Sequence, residues 1–194
     1  MNNDPANAAP GTLELARKFV DTEDLYNERD GLADVEAATA WLAGEGMLSN
    51  GQPITISDLS ALRGLRDAVR AMAAANTTGE RPPREAVEAF NHLAAPHAAS
   101  VRLDVQHGSV VAFFQPREDG AGGAITALAA AVHQAVLTGT WTRLKSCANP
   151  ACRWLFYDES RNRTARWCSM RGCGSISKTR RYREKQRQRA SGAQ

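Results

Sequence analysis

Apolar residues recur at helical spacing through most of the first 140 residues. Leu15 and Phe19 stand four apart in a first helix that begins near Thr12, and Leu32, Val35, Ala38, Trp41 and Leu42 share one face of a second that stops before Gly44. A third, capped by Ser57, carries Leu59, Leu62, Val69 and Met72 at the 3.6-residue period as far as Asn76. Pro82 and Pro83 fit the first turn of a fourth, where Ala86, Val87, Phe90 and Leu93 form the stripe and Pro96 closes it. The period then changes. Val101, Leu103 and Val105 alternate with Arg102, Asp104 and Gln106, and His107-Gly108 leads into the apolar run 110–114, which predicts a β-hairpin. After a flexible stretch at 118–123, Ile125, Leu128, Ala129, Val132 and Val136 mark a further helix ended by Gly139. The small, polar, proline-punctuated start, residues 1–11, is expected to be disordered.

At 194 residues the chain has room for one ordinary core and one small appended module. Hydrophobic residues at 43% and charged residues at 23% place it among globular chains rather than disordered or collagenous ones. No apolar run reaches the roughly 18 residues of a membrane span, and the N-terminus has neither a basic nor an apolar leader region, so a soluble cytoplasmic protein without a membrane partner is expected. The net charge of +3 hides a division. Residues 1–140 hold 10 Lys and Arg against 18 Asp and Glu, or −8, whereas residues 141–194 hold 14 against 3, or +11. A basic end on an acidic body points to a polyanion as its partner.

All four cysteines lie in that basic end, as Cys147-x4-Cys152 and Cys168-x4-Cys173 separated by fifteen residues. Two short-spaced pairs of thiolates can converge on one tetrahedral zinc ion without straining the backbone between them. Disulfides would need an oxidising compartment, and free thiols would leave the paired spacing without a cause. The expected cofactor is one structural Zn²⁺ per chain, held by Cys147, Cys152, Cys168 and Cys173. Between the pairs, residues 154–157 and 164–167 read as two short strands joined by a turn at 158–162. Trp154, Phe156 and Trp167 then form a miniature core that shields the sulfurs; stacking of an exposed aromatic on a base is the alternative. A module of about 45 residues buries little surface, so the metal must supply much of its folding free energy.

Beyond Cys173, Lys178, Arg180, Arg181, Arg183, Lys185, Arg187 and Arg189 fall on a helix begun by Ser175 or Ser177, scattered around its whole circumference. Each cation that neutralises a phosphate releases counterions, which suits such a helix to duplex DNA or RNA. The expected nucleic-acid contacts are Arg161, Arg163, Arg166, Lys178, Arg180, Arg181, Arg183 and Arg187. A solvated tail is the plainer alternative.

Leu144-Lys145-x-Cys147, Asn149-Pro150-x-Cys152, Trp154-Leu155-Phe156-Tyr157-Asp158, Ser160-Arg161-Asn162, Trp167-Cys168-Ser169-Met170 and Cys173-Gly174 resemble the CGNR zinc-finger family over about residues 141–185. Phe19-Val20-Asp21-Thr22 and Trp41-Leu42 are similar to the ABATE domain that precedes this finger in stress-induced bacterial transcription regulators. The resemblance implies the four cysteines as zinc ligands and DNA as the target of the basic segment. The namesake tetrapeptide is broken: Cys173-Gly174 is followed by Ser175-Ile176 instead of Asn-Arg, which keeps a helix-capping residue and removes a phosphate contact.

The fold class expected is α+β: a mostly helical N-terminal domain with one β-hairpin, residues 12–140, then a small four-cysteine zinc-finger module of hairpin plus basic helix, residues 141–186. The linker falls near 138–144, and 187–194 form a basic disordered tail. Function follows as a zinc-dependent DNA-binding regulator, not an enzyme, whose N-terminal domain senses an effector or mediates assembly, with a homodimer and a small-molecule effector as further possible partners. Two rivals stand beside it: an RNA-binding protein, and a small-molecule-binding protein or enzyme whose zinc is only structural. His92, His97, His107 and His133 show no metal-ligand spacing, and no phosphate loop or dinucleotide fingerprint is present.

Overall fold

The computed structural model describes residues 7–48 and 54–191, the last three by backbone alone. Its elements are α1 (Leu13–Val20), β1 (Glu23–Asp24), β2 (Arg29–Asp30), α2 (Val35–Gly44), α3 (Ile56–Thr78), α4 (Arg84–Ala94), β3 (Ala99–Gln106), β4 (Ser109–Pro116), α5 (Gly120–Leu137), β5 (Leu144–Ser146), β6 (Leu155–Tyr157) and α6 (Ser175–Ser191). The strands form three antiparallel pairs, β1–β2, β3–β4 and β5–β6. This is the α+β architecture that the periodicities predict.

The central element is α3, whose 23 residues make it longer than the sequence pattern suggests. It is capped by Thr55 rather than Ser57: the Thr55 hydroxyl accepts from Asp58 N at 3.1 Å while Thr55 N donates to the Asp58 carboxylate at 2.8 Å, a reciprocal capping box. Gly79 ends the helix at φ +75, a left-handed geometry that costs glycine nothing. Leu62, Leu65 and Val69 of α3 pack with Phe19 and Val20 of α1 and with Ile125, Leu128 and Val132 of α5. By length and composition α5 could cross a bilayer, which corrects the expectation that no run is so apolar; half of it is buried inside the fold, as in a core helix.

The core does not stop at residue 140. Leu144 of β5 and Leu155 of β6 are fully buried members of the same cluster as the α1, α3 and α5 side chains. The stretch expected to be a linker is a 3-10 turn, Trp141–Arg143, followed directly by β5, and α3 holds both: Asn76 Nδ2 donates to the carbonyls of Trp141 and Leu144 at 2.9 Å each, and Thr77 Oγ1 to that of Ser146 at 2.7 Å.

Both chain ends also depart from expectation. Asn7 and Ala9 are buried, and Ala9 N donates to Glu14 Oε2 at 2.7 Å, so residues 7–11 are docked rather than disordered; residues 1–6 lie outside the described part. Likewise α6 runs through 187–191, and only 192–194 of the expected tail lie outside the described residues.

Candidate metal centre and nucleic-acid interface

The cysteine cluster is built by β5, β6 and two loops. β5 pairs with β6, Leu144 opposite Tyr157 and Ser146 opposite Leu155, so the hairpin encloses the first cysteine pair rather than lying between the pairs. Residues 164–167 form no strand; the stretch is held instead by Ala148 N, which donates to the Arg166 carbonyl at 2.8 Å. Cys147 N donates to Trp154 O at 2.8 Å, Cys152 N to Asn149 O at 2.9 Å, and the turn is completed by Arg153 at φ +57. On the other side a π-helical turn, Met170–Gly174, carries Cys173. It is capped by Ser169, whose side chain accepts from Gly172 N at 3.1 Å, and it runs straight into α6. Ser175 is thus an interior residue of a continuous helical path and not a cap; its hydroxyl donates to Met170 O at 3.2 Å.

The four sulfurs lie within 4.8 Å of one another, with Cys152 to Cys168 at 3.7 Å and Cys168 to Cys173 at 3.9 Å. Four sulfurs at Zn–S bonds of about 2.3 Å on a tetrahedron would stand about 3.8 Å apart, whereas a disulfide needs about 2.05 Å. All four are free thiols. Hydrogen bonding from Cys152 and Cys168 draws the Cys147 thiol well down, while hydrogen bonding to Cys147 pushes Cys152 and Cys168 up. Four thiolates confined within 4.8 Å repel one another, so this donor set fits a divalent ion that would hold them together.

Trp154 and Trp167 pack on the sulfurs as expected, but Phe156 does not join them: it is buried opposite Lys145 in the strand register. Asn149 is a supporting residue not singled out for any role by spacing, donating from Nδ2 to Cys173 Sγ at 3.3 Å. The four histidines stand apart from the cluster. His97 Nδ1 meets Glu118 Oε1 at 2.7 Å, His133 meets the Phe114 ring, and His92 and His107 are exposed.

The finger is tied to the body through acids that follow α1. Leu155 N donates to Asp21 Oδ1 at 2.7 Å and Trp154 Nε1 to Asp24 Oδ1 at 3.0 Å. Asp21 also receives Arg17 Nη1 at 3.0 Å, with both side chains only 2% exposed. Burial pushes the Asp21 carboxyl up to about 7, against the opposing pull of the Leu155 N–H and Arg17. Nearby, Arg70 donates to Glu23 and to Val20 O, and Arg66 to Asp30. These buried arginines hold the β1–β2 turn against α3.

Arg161, Arg163, Arg166, Lys178, Arg180, Arg181, Arg183 and Arg187 are all exposed. Arg180, Arg183 and Arg187 line one flank of α6 with Ile176, and Lys178, Arg181 and Lys185 line another with Trp167 at its base. Among the described residues, the first seven of the eight form no ion pair with a carboxylate.

Two family models match the chain. Residues 143–186 match the CGNR zinc finger, and residues 13–140 match the ABATE family, described as "Putative stress-induced transcription regulator". This chain belongs to the ABATE family. Its four clustered cysteines lie within the match to the CGNR zinc finger that follows the ABATE domain, where they form a candidate metal site. No curated protein matches the chain.

Proposed function

We propose that this chain is a transcription regulator that binds duplex DNA through α6 and the 161–166 loop, with one structural zinc ion per chain fixing both. The observation that carries the reading is the exposed set of cations mounted on one metal-braced module at the end of an acidic body. Four cysteines close the coordination sphere, so the ion organises the module and has no open position for a substrate. Phosphate contacts position such a helix, and base readout is confined to a few of the eight side chains. DNA is favoured over RNA because Trp154 and Trp167 are packed on the sulfurs, which leaves Tyr182 as the large exposed aromatic of α6.

Binding of the full, zinc-loaded chain to DNA fragments across a salt series tests this. If about five side chains each neutralise a phosphate, log K falls against log salt with a slope of about −4 to −5. Arg180→Ala with Arg181→Ala should weaken binding to all sequences and reduce the slope by about one per lost contact. A flat salt response, or tighter binding to competing RNA, refutes the DNA assignment.

A further inference from the structure

Among the described residues, the β3–β4 hairpin leaves most of one apolar face exposed. In the β3–β4 register Val101 stands opposite Phe114, Leu103 opposite Ala112 and Val105 opposite Val110. Side chains alternate across a strand, so these six share one face, while Arg102, Asp104 and Gln106 take the other together with Ser109, Val111 and Phe113. The six carry no charge and no hydrogen-bonding group, yet Val101, Leu103, Val105 and Val110 are 67%, 65%, 69% and 69% exposed. A sheet face made only of apolar side chains normally packs away from water, and a lone hairpin is at best marginally stable. At its base Phe114 meets His133 of α5 edge-on, with ring centroids 5.2 Å apart. Val136 and Leu137, three and four residues beyond His133 and so on the same side of the helix, are 56% and 69% exposed. The apolar strip therefore continues from the hairpin onto the last turn of α5.

We propose that this strip is the interface between two copies of this chain, the apolar face of one hairpin lying on that of the other. A two-fold axis brings one patch against itself, which demands that it be self-complementary, and a patch with no charge meets its copy without desolvating like charges. A standard interface buries about 800 Å² per partner, and the exposed apolar residues of this strip supply the apolar centre that such an interface needs. Monomers rarely expose contiguous apolar patches beyond a few hundred Å². A membrane surface is a poorer match, because an interfacial patch is flanked by cations, whereas residues 1–140 carry −8. Pairing through this strip does not depend on DNA binding.

Sedimentation of the full zinc-loaded chain from micromolar to sub-millimolar concentration tests it. The expected mass at the upper end is twice the 21.0 kDa of one chain. Leu103→Lys and Val110→Lys place a charge at an already exposed position and should each weaken self-association at least about tenfold, since each buries an apolar side chain in both copies. Arg102→Ala, on the opposite face, should leave it unchanged. Independently of any variant, amide exchange across 99–116 should slow as concentration rises. A chain that stays monomeric throughout overturns the proposal, as does a dimer indifferent to Leu103→Lys. Loss of the dimer in Arg102→Ala would equally reject face-to-face packing, in favour of pairing between strand edges.

Discussion

Lys145 and Asp158 form an ion pair inside the finger, 3% and 1% exposed, with Nζ 2.7 Å from Oδ2. Nζ also donates to the carbonyls of Arg163 at 2.6 Å and Ala165 at 3.2 Å, while Asp158 accepts from the backbone of Ser160 and Ala165 at 3.0 Å each. Burial alone would raise the Asp158 carboxyl, but the hydrogen bonds from Lys145, Ser160 and Ala165 outweigh it and hold the group below the usual carboxylate range. The pair thus staples β5 to the 158–165 loop that carries Arg161 and Arg163. Removing one partner strands a buried charge, so Asp158→Ala or Lys145→Ala should each cost about 3–5 kcal/mol in urea unfolding with zinc saturating. Lys145→Met combined with Asp158→Leu should cost clearly less than the sum of the single changes, because neither charge is then left unpaired. Additive losses would show that the two side chains act separately.

At the scale of elements, β5 and β6 belong to the finger by sequence and to the ABATE body by packing. A chain ending at Gly139 would lose Leu144 and Leu155 from the core and leave Asp21, Asp24 and Asn76 without their partners across the junction. Independent folding of residues 12–139 is therefore not expected: such a chain should show helical circular dichroism without a cooperative thermal transition. A transition as sharp as that of the full chain would refute the shared core. The junction is hidden in the sequence for physical reasons. α3 and α5 are legible because Leu62, Leu65, Val69 and Ile125, Leu128, Val132 bury one face each at helical period. The cysteine cluster is legible because ligand spacing is local. In β5, however, Leu144, Lys145 and Ser146 are all buried, so no alternation marks the strand, and the local pattern pairs 155–157 with 164–167 downstream instead of with β5 upstream. Arg66 and Arg70 have the composition of a surface and the burial of a core, since Asp30 and Glu23 neutralise them from elsewhere in the chain. The Leu155 N–H to Asp21 bond spans 134 residues, a separation that no local pattern encodes. Asp21 is visible only within the Phe19-Val20-Asp21-Thr22 resemblance, and the structure supplies its cause.

In the whole molecule the metal site sits at the end of a continuous path into the core. The Cys147–Cys152 knuckle closes the β5–β6 hairpin, Leu144 and Leu155 of that hairpin pack with α1, α3 and α5, and Cys173 lies in the turn that runs into α6. Metal binding to a site absent from the unfolded chain contributes its free energy to folding, on the order of 10 kcal/mol for a structural zinc site at neutral pH. In two independent modules that contribution would be confined to the finger. Here it should reach the body. Stripping the ion with a chelator should lower the midpoint of a single unfolding transition seen alike by helical signal and by Trp41, which lies in the α1–α2 part of the core far along the chain from the cysteines. Cys152→Ser should reproduce that shift in the presence of zinc, because three thiolates leave the sphere open and β5–β6 without its closure. If chelation instead melted the tryptophans beside the sulfurs while the helical transition kept its midpoint, the coupling through Leu144 and Leu155 would be wrong, and the acidic body would be stable without the finger that it carries.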